Sequence, residues 1–160
     1  MYDKNKVHYV SVTGILVKDG KYLIAKRADW EKAFPGKWTV PGGKVEVLDY
    51  ALRKKDTSEH WYNVLEDVLR REVREEVGLE IEGIGYVTSL VYLRDDGIPC
   101  LIVSLFAEPC SEEIKLCDAL TECKWVSLEE AREYELIEGI YEELKMLDNK
   151  GKRLEAWQKS

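Results

Sequence analysis

The chain has 160 residues and a formal net charge of −7, with 45% hydrophobic residues, five Trp and nine Tyr. That length suits one domain, 1–160, burying roughly two-thirds of its unfolded surface, and the composition excludes a disordered chain. The acidic balance repels nucleic acid and anionic membrane, and neither a membrane span nor a secretory leader is expected.

Val7–Val17, rich in β-branched residues, and Lys21–Arg27 read as a hairpin through Asp19-Gly20. Residues 28–37 form a loop around Pro35-Gly36. Trp38-Thr39-Val40 is a short strand, stopped by Pro41-Gly42-Gly43. Residues 44–58 read as irregular, with a basic patch at Arg53-Lys54-Lys55. A helix is predicted from about Ser58–His60 to Val77, with Gly78 at the position past its end that favours glycine. Strand patterns Leu79–Leu93 and Ile98–Glu108 follow, joined through Asp95-Asp96-Gly97, and then Cys123–Val126. Ser127 and Glu130 spell a capping box for a short helix, and a last helix covers about Glu135 to Leu147. The tail from about residue 149 is polar and reads as loose. The order implies a mixed β-sheet covered by helices, α/β or α+β. Cys100, Cys110, Cys117 and Cys123 form no C-x-x-C pair, so reduced thiols in a cytoplasmic protein are expected instead of a zinc site.

One stretch of the long helix, LRREVREEVGL at Leu69–Leu79, breaks its own pattern. With Leu65 as zero and about 100° per residue, Val68, Leu69 and Val73 mark the buried face. Glu72 and Glu76 then fall within about 20° of its centre, and Glu75 at about −80°. Two readings fit: a solvated acidic face neutralised by Arg70, Arg71 and Arg74, or a site for a hard divalent cation. Against the first, Glu72 and Glu76 prolong the apolar stripe instead of opposing it. Each pair at about 6 Å repels by roughly 3 kcal/mol at an effective dielectric near 20. Spacings i, i+3 and i+4 bring the three carboxylates together, and oxygen ligands suit Mg²⁺ or Mn²⁺.

Gly43-x5-Asp49 … Arg71-Glu72-Val73-x-Glu75-Glu76-x-Gly78-Leu79 resembles the Nudix box, G-x5-E-x7-R-E-U-x-E-E-x-G-U with U apolar. The second half matches at every specified position. Trp38–Gly43 and Glu122–Ser127 resemble segments that flank the box, so the likeness spans about residues 7–147. One departure stands out. Twenty-one residues, Tyr50–Arg70, separate Asp49 from Arg71, an insertion of fourteen beyond the family spacing. Asp49 or Glu59 replaces the first box glutamate, or none does; strict spacing falls on Asn63.

The resemblance implies an α/β/α sandwich and a hydrolase that cleaves the pyrophosphate bond of a nucleoside diphosphate linked to X, with Mg²⁺ (Mn²⁺ in its place) as cofactor. It implies Glu72 and Glu76 as metal ligands, Glu75 as third ligand or base, and the Gly43 carbonyl as a further ligand. Arg71 would hold a glutamate in its rotamer. Lys44, Arg27 and Gly42 would face the phosphates, and Glu122 is a further base or ligand candidate. Arg53-Lys54-Lys55 would guide an anionic substrate or stay solvated, and Trp30, Phe34 or Trp38 would stack on a base or pack in the core. The positions that mark ADP-ribose and dinucleoside polyphosphate hydrolases hold Arg94–Gly97, neither marker. A MutT-like nucleoside triphosphate hydrolase is then the default. An ADP-ribose or NDP-sugar pyrophosphatase and a non-catalytic nucleotide-binding regulator are the alternatives. The family also allows a homodimer.

Overall fold

The computed structural model describes residues 1–159. The elements are β1 (Tyr9–Lys18), β2 (Lys21–Arg27), β3 (Trp38–Thr39), β4 (Gly42–Lys44), α1 (Leu48–Ala51), α2 (Val64–Val77) and β5 (Ile81–Leu93). They continue with β6 (Pro99–Pro109), β7 (Leu120–Val126), α3 (Leu128–Ala131) and α4 (Ile140–Lys159). Strands run in the order β3-β2-β1-β6-β5, with β4 on β1 and β7 on β2. β1 and β6 are parallel and the other pairs antiparallel, so the sheet is mixed as expected.

β1 changes partner along its length. Ser11–Thr13 pair with β4, whereas Val17 and Lys18 pair with β2. The two halves of the sheet part there and leave a cleft. Alternate residues of β1 feed two cores, which makes the sandwich. Val12 and Leu16 pack with Val68, Leu69, Val73 and Val77 of α2. Ile15 packs on the other face with Ile140, Leu144 and Leu147 of α4. Each fully buried aliphatic contributes roughly 1.5–3 kcal/mol. Among the described residues, no helix is long and apolar enough to cross a membrane.

Three helix boundaries differ from the sequence reading, one being the start of α4, at Ile140 instead of about Glu135. α2 begins at Val64 because Asn63 is left-handed (φ 57°), and Trp61 instead closes the insertion, its Nε1 donating to the Arg53 carbonyl at 3.0 Å. The tail is not loose: α4 continues to Lys159. Lys150 anchors it, donating from Nζ to the Tyr86 and Val87 carbonyls at 3.0 and 2.9 Å. The irregular segment also contains the one-turn α1. The Ser127 capping box forms as expected, and Gly78 (φ 73°) ends α2 with its N–H bonded to the Val73 and Arg74 carbonyls.

Candidate active site

α2 is amphipathic, and its buried stripe fixes how it turns toward β4. Glu72 and Glu76 follow that stripe inward, their side chains meeting near the glycines of β4. The Gly42 N–H donates to Glu76 Oε2 at 3.4 Å. Gly43 lies so close to the Glu72 carboxylate that an added Cβ would overlap it, so any larger residue there would have to push that carboxylate aside. Burial pushes the Glu76 pKa up to about 8, helped by the hydrogen bond and charge of Glu72 and opposed by Gly42 and Arg27. Burial, together with the Glu75 charge, also raises Glu72, against the pull of Glu76 and Arg71. Two adjoining carboxyls that resist ionising this strongly need a shared proton or a cation between them.

Glu75 departs from the expected trio. Its side chain is 60% exposed and its Oε2 accepts from Arg71 Nη1 at 3.2 Å. At −80° from the stripe it lies at the helix flank, outside the inward pair. Among the described residues, no three His, Cys, Asp or Glu side chains converge as one ligand group. Glu72 and Glu76 form the pair, and further oxygens would have to come from backbone, substrate or water.

Arg71 contacts Glu72, its Nη1 donating to Oε1 at 2.9 Å. Of the two acids offered for the first box glutamate, Asp49 meets Arg71: Nε donates to Oδ1 at 2.6 Å. Asp49 Oδ2 accepts the Glu46 N–H at 2.7 Å, and its side chain is 6% exposed. Glu59 is exposed within the insertion. The fourteen added residues thus leave the brace intact by folding on themselves. Arg53 donates to Asp56 and to the Tyr62 carbonyl, and Trp61 packs against Tyr50. The basic triplet is partly spent there, since Arg53 is paired and Lys55 lies over the Trp61 ring at 5.1 Å.

A cleft of about 280 Å³ opens beside Glu76. Arg27, Gly42, Gly43 and Lys44 all line it, which brings the expected phosphate-facing residues together. Arg27 is held by the Ala33 carbonyl at 2.7 Å and by Glu31 at 3.3 Å. Glu122 sits on exposed β7 opposite Lys26, outside the cleft wall. Trp38 is core, edge-on to Tyr134 at 4.9 Å, while Trp30 and Phe34 are exposed. Sequence reading missed Ser11, Thr13, Tyr92 and Cys117 in the wall. The signal for the first two was there: Ser11 and Thr13 are alternate polar residues within an apolar strand.

The family model for the NUDIX domain matches residues 7–147. The chain belongs to the Nudix family. The curated nucleoside triphosphatase NudI of Salmonella agona (strain SL483) is 32% identical over 112 residues, 70% of this chain and 65% of that protein. The match thus spans less than two-thirds of that relative's length. Among solved structures, the MutT Nudix hydrolase of Burkholderia pseudomallei superposes with a TM-score of 0.69 at 22% identity, covering 88% of this chain and 98% of the other. The Nudix domain of Shewanella oneidensis NrtR, crystallised with ADP-ribose, gives 0.65 at 18%, covering 96% and 94%. Both likenesses support the Nudix sandwich.

Proposed function

We propose that this Nudix protein hydrolyses the diphosphate bond of a nucleoside diphosphate linked to X, and that a nucleoside triphosphate is its substrate, giving a nucleoside monophosphate and pyrophosphate. The observation that carries the reading is the buried Glu72–Glu76 pair facing Gly42 and Gly43 at the edge of the cleft. The triphosphatase name of the 32%-identical relative favours the substrate.

The residues fit a hard divalent cation, Mg²⁺ or Mn²⁺, because two desolvated carboxyls on one helix face supply oxygen donors and excess charge. Glu72 and Glu76 would hold it, with Gly43 as a backbone neighbour. Bound there, the ion would neutralise phosphate charge and activate water for attack. The chain's own part is positioning. Arg71 and Asp49 fix the rotamer of Glu72, so little reorganisation is left for the reacting state. Arg27 and Lys44 bring positive charge to the cleft wall for the phosphates. Glu75, exposed beside the pair, would accept a proton from the attacking water. With unpaired thiols in every described cysteine, we place the protein in the cytoplasm.

The test is a panel of nucleoside triphosphates, NDP-sugars and ADP-ribose assayed with Mg²⁺ and Mn²⁺. Turnover of triphosphates with pyrophosphate release, abolished by chelator, supports the reading. Preference for ADP-ribose moves the substrate, and no turnover with either ion overturns the hydrolase.

A further inference from the structure

The cleft beside Glu76 continues past its own wall. Tyr92 lines both that cleft and a larger groove of about 670 Å³, which is built from two segments, Lys32–Phe34 and Tyr92–Asp96. Phe34 and Tyr92 both expose about half of their surface, and Ala33 and Leu93 add apolar area beside them. Aromatic rings exposed in a concavity next to a reaction site are suited to holding a ligand.

Phe34 is kept there at a conformational cost. Its φ is 51°, a left-handed conformation that a bulky residue seldom adopts, so the loop around it must impose it. The Lys37 N–H closes a turn onto the Phe34 carbonyl at 3.3 Å. Arg27 of the cleft wall donates from Nε to the Ala33 carbonyl at 2.7 Å, and its backbone bonds to both Gly36 and Lys37. A cleft residue thereby fixes the loop that carries the ring. Tyr92 is fixed differently, by the β5–β6 ladder, opposite buried Cys100.

Two charged side chains of the groove are already committed. Arg94 Nη2 pairs with Asp96 Oδ2 at 3.0 Å, and its guanidinium lies over the Tyr9 ring at 4.0 Å. Asp96 Oδ1 accepts the Ile98 N–H at 3.0 Å. Lys32 and Asp95 are exposed. The fixed surface left for a ligand is ring face and apolar side chain.

We propose that Phe34 and Tyr92 hold the nucleobase of the substrate by its faces in this groove, so that the protein favours purine over pyrimidine nucleotides and separates purines from one another weakly. The proposal rests on the nucleotide reading of the cleft. With the phosphates beside Glu76, the nucleoside leaves the cleft of about 280 Å³ past Tyr92 and enters the groove. Stacking grows with ring area and ignores the donors and acceptors on the base edge, because every base has a π-face.

The experiment has a binding arm and a kinetic arm. The binding probe is the α,β-methylene triphosphate of 2-aminopurine riboside with Mg²⁺, whose fluorescence is quenched when its base stacks. The wild type should quench it. Phe34→Ala and Tyr92→Ala should each weaken its binding by about tenfold, the size expected for one base–aromatic stack. Phe34→Trp and Tyr92→Phe, which keep a ring, should bind and quench as the wild type does. In turnover, each alanine variant should raise KM for ATP and GTP by about tenfold and lower kcat far less. Wild-type kcat/KM should be severalfold higher for ATP and GTP than for CTP and UTP. Probe bound without quenching, alanine variants that bind it as tightly as the wild type, or equal kcat/KM for purines and pyrimidines overturns the proposal. A ring with only a structural role would lower kcat and leave KM in place, which overturns it too. Triphosphate turnover alongside any of these results strikes the stacking groove alone, whereas no turnover on any nucleotide strikes the proposed function with it.

Discussion

α2 and α4 cover opposite faces of one sheet, and each carries glutamate on its buried stripe. On α2 the acids come as a pair, braced by Arg71 and pressed against the backbone of Gly42 and Gly43. On α4 the acid, Glu143, is single and buried, with the Ser104 hydroxyl beside it. A buried acid is therefore defined by its company. A second carboxyl beside a cationic brace creates excess negative charge that a divalent ion relieves. Hydroxyl neighbours create no such excess and leave a group suited to neutral hydrogen bonding.

The contrast breaks most sharply at Glu76. Replacing it with glutamine should lower kcat by about a thousandfold while leaving the melting temperature equal or higher, since a desolvated acid is removed. Wild-type turnover in that variant would erase the distinction between the two helices. Gly43→Ala should come next, at about a hundredfold, because the new methyl displaces the Glu72 carboxylate. Circular dichroism and kcat measured together separate this effect from misfolding.

Proton linkage sharpens the comparison. The folded-state pKa of Glu76, about 8, lies above its ordinary 4.5, so between these values the folded chain binds more protons than the unfolded one. Stability of the metal-free protein should therefore fall as pH rises through that window. Mg²⁺ competes with the proton, so thermal melts should show it raising Tm by several degrees at about pH 8 and little at about pH 5. Equal stabilisation at both would argue that the ion binds elsewhere. The smallest effect belongs to the insertion: Arg53→Ala should cost about 1 kcal/mol in a denaturant melt and change kcat less than about threefold. A larger fall in kcat would make the insertion part of the brace.

Much of the site was legible in sequence because it is local. Helical rotation alone put Glu72 and Glu76 inward and Glu75 toward the flank, and the box placed Gly43 against them. Asp49 could not be chosen over Glu59 by spacing, since fourteen inserted residues separate register from geometry; the Arg71 contact decides it. The strands and their hairpin were visible as β-branched runs, whereas the parallel β1–β6 pairing joins residues about ninety apart and leaves no local mark. The end of α4 was misread because Gly151 and its polar neighbours disfavour helix. The Lys150 contacts to β5 override that preference. Glu143 carried the same signal as Glu72, an acid within an apolar stripe, but lacked a motif to call attention to it.

The most direct measurement is Mn²⁺ binding, by calorimetry or electron paramagnetic resonance, to the wild type and to Glu76→Gln with a non-hydrolysable nucleoside triphosphate analogue present. One ion per chain is expected in the wild type, weakened at least about tenfold by the substitution. Equal binding in the two proteins, or none in either, would contradict a cation held between Glu72 and Glu76.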